Sequence, residues 1–168
     1  MSRFERLEAT RVNVAARLDR HDGAALNRPR ADGGWSALQV LHHVIAAEAG
    51  TQRYISKKML AGPNLPRAGL ASRIRLLALK AAIVLPFRFR APAVTADVPG
   101  EADPAELLAR WQETREGLRT FLEGFPEELL DRVVFRHLLV GLMGLPDTLD
   151  FLQAHLDHHM RQVERLLA

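Results

Sequence analysis

Apolar residues recur at helical spacing along most of the chain, and no segment sustains the period-two alternation of a strand. Phe4, Leu7, Val14 and Leu18 share one face of a first helix that should run from Ser2 to His21. The turn-rich stretch from Asn27 to Gly34 then breaks the pattern. Ser36 followed by Gln39 is a capping box, so a second helix opens there and continues to about Leu60, before Gly62-Pro63. A third helix is expected over Ala68–Leu85, with a Pro-rich loop from Pro86 to Ala102. Asp103-Pro104-Ala105-Glu106 supplies a cap, a proline in the first turn and an acid in the third helical position. The helix it starts should reach Leu122, carrying Leu107, Leu108, Trp111, Leu118, Phe121 and Leu122. Pro126 to Leu130 predicts one short helical turn, and Val133 to Met143, with Gly141 and Gly144 close by, predicts an irregular connector. The last helix should start at Asp147 or Thr148, with Leu149, Leu152, Leu156, Met160, Val163 and Leu167 as its apolar stripe. These elements predict an all-α fold: an up-and-down four-helix bundle with an additional short helix or linker, one domain over residues 1–168.

Composition narrows the chemistry. Hydrophobic residues are 48% of the 168 and charged residues 26%, as in a soluble globular protein. There is no cysteine, which excludes disulfides, thiolate metal ligands and cysteine nucleophiles. Met1-Ser2-Arg3-Phe4-Glu5-Arg6 has no apolar core behind it, so no signal peptide is expected and a cytoplasmic location is the default. The most apolar stretch, Ile74 to Phe89, is interrupted by Lys80 and is shorter than the roughly 20 residues needed to span a bilayer. It reads as a buried or interfacial helix, and no transmembrane segment is expected.

Charge is unevenly placed. Residues 53–90 hold nine of the 23 basic residues (Arg53, Lys57, Lys58, Arg67, Arg73, Arg75, Lys80, Arg88 and Arg90), and no acid lies between Glu48 and Asp97. Such a block can face an anionic ligand, a nucleic acid or a membrane surface; equally, it can be a solvated face that pairs with acidic helices elsewhere. With one Tyr and two Trp in the chain, no stacking aromatics interleave the block, and nucleic acid is not favoured.

Three of the seven histidines crowd into residues 155–159 of the last helix. His155 and His159 are four apart, so their rings project one turn above the other on one shoulder of the apolar stripe, while His158 turns toward solvent. Two imidazoles so placed can share a divalent cation, or can be two half-buried histidines satisfied by hydrogen bonds. A third ligand is offered by Leu41-His42-His43-Val44. Periodicity slightly prefers His42, which falls nearer the Leu38/Leu41/Ile45 stripe, but the helix is apolar around most of its circumference and the pattern leaves both open.

The chain resembles the DinB-like (YfiT-like) metal-binding helical bundles. The likeness rests on Trp35-Ser36 followed by His43, Val44 and Glu48, on His137 with Gly141, and on the Phe151–Leu166 helix with His155, His159 and Gln162. It extends from Trp35 to Leu167, and departs from the family where Leu138, in place of the usual proline, follows His137. The resemblance implies that one histidine of the second helix and two of the last bind a divalent metal. Carried over, these are His43, His155 and His159, holding zinc or nickel in the first instance, or manganese or iron. It further implies a role for His137 beside the metal or as a loop anchor, a core position for Trp35, and chemistry of the kind found in the family: thiol S-transfer, thiol-dependent isomerisation or hydrolysis.

Three neutral imidazoles leave such a metal an open position for water or a thiolate. No catalytic base is evident. Glu48 lies about 140° round the helix from His43, suited to capping a neighbouring histidine or pairing with a basic residue, and Asp157 points away from the pair. The basic block, through Arg73 and Arg75, would attract a carboxylated thiol or another anionic small molecule. Three functions follow: a metal-dependent transferase or hydrolase acting on a small thiol or anion; a non-catalytic, stress-associated or dimerisation bundle with a structural or vestigial metal, expected to pair as a homodimer; or a basic-face module for anionic partners.

Overall fold

The computed structural model describes residues 2–84 and 98–168. Its elements are α1 (Arg3–Leu18), α2 (Gly23–Asn27), α3 (Ala37–Met59), α4 (Leu70–Val84), α5 (Pro104–Glu123), β1 (Phe135–His137), β2 (Gly141–Met143) and α6 (Leu145–Leu167). Short 3₁₀ turns lie at Gly62–Asn64 and Glu127–Leu129.

The helix starts follow local chemistry. Both Ser2 with Glu5 and Ser36 with Gln39 form complete capping boxes, each satisfying two backbone donors that a helix terminus leaves unpaired. Asp103 accepts from the Glu106 amide ahead of Pro104. The last helix starts at Leu145, earlier than its apolar stripe predicts. Gly144 caps it, Pro146 sits in its first turn, and the Thr148 hydroxyl donates to the Gly144 carbonyl. The first helix stops at Leu18, and Asp22 then caps the separate short helix α2.

Helices α1, α3, α5 and α6 make a four-helix bundle in which α3 packs on α5 and α6, and α1 packs on the same two from the other side. Of the four, α3 and α5 are consecutive in chain order and pack together, whereas α1 and α3, and α5 and α6, lie across the ring from one another. The core runs through Leu7, Val14, Leu18, Leu38, Leu41, Ile45, Leu107, Trp111, Leu152, Leu156 and Met160. Exposed ion pairs of Arg3 and Arg6 with Asp150, and of Arg17 with Glu164, tie α1 to α6.

Helix α4 leans on α6 and on β2 from outside the ring. It buries Leu76 and Ser72 but leaves Leu70, Ile74 and Leu77 exposed, so it is a peripheral amphipathic helix and not a core one. Pro86, Arg88, Arg90 and the loop expected to follow the helix fall in residues 85–97, outside the described residues. Among the described residues no helix is long and apolar enough to cross a membrane.

Among the described residues the departures from an all-helical pattern are local: an isolated bridge between Arg67 and Arg132, and a short strand pair. Phe135–His137 pairs antiparallel with Gly141–Met143, so the expected irregular connector is a small hairpin. Gly141 has φ +86°, and a Cβ there would stand 2.8 Å from Arg75 Nη1. Only glycine meets both demands.

Candidate metal centre

The middle of α3 and the middle of α6 face each other, and their histidines meet. His43, His155 and His159 each bring a ring nitrogen to one place, all within 4.8 Å of one another. His43 Nε2 and His155 Nε2 are 3.3 Å apart. Two nitrogens at 2.0–2.1 Å from a tetrahedral metal are separated by about 3.3–3.4 Å, so this pair already stands at ligand spacing. The rings are edge-on: His43 to His159 at 4.8 Å between centroids, and His155 to His159 at 4.5 Å.

Burial sets the protonation. His43 is buried, and burial, with the neighbouring imidazoles, holds His155 well below the usual histidine pKa. Burial and His43 bring His159 down to about 3, against a weaker opposite pull from Gln162. Both are neutral at physiological pH, the state in which imidazole offers a lone pair to a metal. The His159 tautomer is set by its neighbour: Nδ1 lies 3.1 Å from Gln162 Oε1, and the amide oxygen accepts, so the proton is on Nδ1 and the lone pair on Nε2. Trp35 packs its ring 5.1 Å from His43, and His158 stands edge-on to His159 at 5.0 Å, beside the cluster and outside the triad.

Of the two adjacent histidines on α3, the structure turns His43 to the cluster and His42 away. Arg110 Nη1 on α5 donates to His42 Nε2 at 3.2 Å. The periodicity preference for His42 is thus reversed, because α3 is covered on one side by α5 and on another by α6, and its most apolar stripe does not mark the side that faces α6.

His137 lies on the hairpin with its ring 4.4 Å from Phe151, whose own ring is 5.8 Å from His155. Its Nδ1 accepts from the amides of Leu139 and Val140 at 3.2 and 3.3 Å. One nitrogen therefore anchors the turn, as one of the two sequence expectations for it had it.

Glu48 pairs with a base. Its Oε1 accepts from Arg115 Nη2 at 2.7 Å and its Oε2 from Trp111 Nε1 at 3.2 Å, with Glu48 4% and Arg115 1% exposed. Burial pushes the Glu48 carboxyl up and the Arg115 guanidinium down, each opposed by attraction to the other. The partner was readable in principle: Arg115 interrupts the apolar stripe of Leu107, Trp111 and Leu118, and a cation on a core face calls for a buried acid.

Three members of the basic block, Arg67, Arg73 and Arg75, are engaged away from the histidines. Arg73 Nε stands 3.7 Å from Asp147, Arg67 Nε 3.1 Å from Asp131, and Arg75 Nη1 reaches the Val140 carbonyl at 3.5 Å. These contacts pin α4 and its leading loop to the hairpin and to the start of α6.

The donor set fits a divalent ion that prefers nitrogen: three neutral imidazoles, with no carboxylate among the described residues joining them. Bound there, such an ion would supply Lewis acidity and lower the pKa of a water or thiol at an open position.

Comparison with known proteins follows the same lines. A family model described as the DinB superfamily matches residues 6–163. The solved structure of YfiT from Bacillus subtilis, described as a probable metal-dependent hydrolase with an unusual four-helix bundle topology, superposes with a TM-score of 0.61. It is 19% identical in sequence, over 98% of this chain and 83% of that one. At that identity the likeness is one of fold. No curated protein matches the sequence significantly.

Proposed function

This chain belongs to the DinB superfamily, and on that premise we propose that it is a divalent-metal enzyme of the transferase or hydrolase class, with His43, His155 and His159 as the metal ligands. The observation that carries the reading is the convergence of three ring nitrogens within 4.8 Å, of which the His155 and His159 rings are kept neutral by burial. Zinc and nickel suit an all-imidazole set best, and manganese or iron less well.

Each residue has a task in this reading. The three histidines hold the ion; Gln162 orients His159; Trp35 and Phe151 wall the site with apolar rings that limit water and strengthen interactions inside it. The metal lowers the pKa of the nucleophile when bound. The similarity to YfiT supports hydrolysis as one outcome. Against it, no carboxylate among the described residues joins the cluster to serve as base. A small thiol would need none, since a metal held by the three histidines would lower its pKa enough for solvent to take the proton, and for this reason S-transfer to an electrophile is the reaction we favour.

The test has two stages. Untagged protein is first assayed for bound metals by elemental analysis; one divalent ion per chain is expected, and a metal-free protein that takes up none on reconstitution overturns the reading. The loaded protein is then offered low-molecular-weight thiols with an electrophilic acceptor, and ester or amide substrates in parallel. Loss of free thiol dependent on the metal supports transfer, whereas metal-dependent hydrolysis without thiol consumption moves the protein to the hydrolase class.

A further inference from the structure

His137 has one nitrogen engaged and one to spare. Because Nδ1 accepts two backbone amides, it carries the lone pair, and the neutral ring must hold its proton on Nε2. Burial favours that neutral ring. The turn therefore fixes a single tautomer, and with it an N–H donor that has no hydrogen-bond partner among the described residues. The ring lies against Phe151, one helical turn before His155 on α6. Phe151 thus contacts both the His137 ring and the His155 ring.

We propose that His137 Nε2–H is a hydrogen-bond donor to the anionic ligand that enters the metal centre beside His155. The inference rests on the metal reading given above and deepens it by naming the charge of the ligand and the group that meets it. Two facts of geometry carry it. The β1–β2 turn, closed by a glycine with φ +86° that Arg75 backs, holds the ring from behind by its Nδ1 edge. Phe151 packs against the same ring at 4.4 Å between centroids, and Nε2 is the ring's remaining polar atom. A neutral donor so held suits a thiolate or an oxyanion and offers nothing to a cation. It cannot act as the base in this tautomer, which agrees with a nucleophile activated by the metal alone.

The two amide replacements separate the roles. Asn places a carbonyl near the Nδ1 position, so His137→Asn keeps the turn acceptor and deletes the outer donor. Gln places its NH₂ near the Nε2 position, so His137→Gln keeps the donor and weakens the turn. Wild-type protein and both variants are loaded with Co²⁺, and azide is titrated by visible absorption, with metal affinity measured by chelator competition and stability by urea. Azide affinity is expected to fall about tenfold in His137→Asn, in line with the loss of a charge-assisted hydrogen bond, while Co²⁺ affinity stays within twofold. His137→Gln is expected to keep azide affinity within about threefold and to lose stability. Unchanged azide affinity in His137→Asn, equal losses in both variants, or a wild-type Co²⁺ site that gives no azide response would each overturn the proposal. A protein that takes up no Co²⁺ at all refutes the metal centre, a separate failure with its own signature.

Discussion

Helix α3 carries two buried titratable side chains, His43 and Glu48, only five residues apart, and they enter opposite kinds of environment. Glu48 meets Arg115 and Trp111 of α5, and both of its oxygens accept hydrogen bonds. Charge is balanced within the protein, although Arg115 Nε and Nη1 have no hydrogen-bond partner among the described residues. His43 meets His155 and His159 of α6, where three ring nitrogens converge with no carboxylate among the described residues joining them. The first cluster balances its own charges as folded. The second brings three ring nitrogens within 4.8 Å of one another, and on the reading proposed above a cation completes it. Burial is common to both; charge balance tells a structural cluster from a binding one.

That contrast can be broken most drastically at the histidines. His155→Ala is expected to abolish stoichiometric metal on elemental analysis of untagged protein while leaving a folded helical bundle by circular dichroism. Full metal occupancy in this variant would refute the ligand assignment. Next in size is the ion pair. Arg115→Met strands a buried carboxylate and should cost about 3–5 kcal/mol in urea unfolding, with metal stoichiometry unchanged in the protein that remains folded. Replacing Glu48 and Arg115 together with apolar residues should recover much of that loss, since the penalty comes from the unpaired charge. A single-variant cost below about 1 kcal/mol would show that water reaches the pair and that the contrast with the histidines is overstated.

A smaller effect is expected from pH in the metal-free protein. His159 has its folded pKa near 3 and His155 is also depressed, both below the ordinary 6.5. Between those limits the unfolded chain binds protons that the folded chain refuses, so stability is intact above about pH 6.5 and falls as the pH drops toward 3. Each pH unit in that window costs up to about 1.4 kcal/mol per histidine. Urea midpoints at pH 7.5, 6 and 5 should decline steadily, and His159→Gln should flatten the decline; an equal slope in that variant would assign it to other groups. Smallest of all, Gln162→Leu removes the acceptor that orients His159 and should weaken metal about tenfold in chelator competition without changing stoichiometry.

Particular residues show how far the sequence could be read. Ser36 with Gln39, and Asp103 with Pro104, mark helix starts that the structure reproduces, because a cap is made by residues three apart and needs no knowledge of the rest of the fold. Gly144 and Pro146 extend α6 two residues before its first expected position through a cap that uses no side chain, which leaves little trace in an apolar pattern. The hairpin at 135–143 reads as an irregular connector in the sequence since two three-residue strands are too short to show alternation.

The His155/His159 pair and the ends of most helices follow from the sequence alone, since both are matters of spacing along one helix. Helical periodicity alone could not choose between His42 and His43, nor say that Glu48 would find Arg115. On a helix apolar around most of its surface, the face toward a neighbour is set by how the neighbours pack. The bundle decided both when it placed α5 on one side of α3 and α6 on the other. The same packing set the protonation of the centre: the histidines are ordinary titrating groups in the unfolded chain, and their burial between two helices is what makes them neutral donors to a metal.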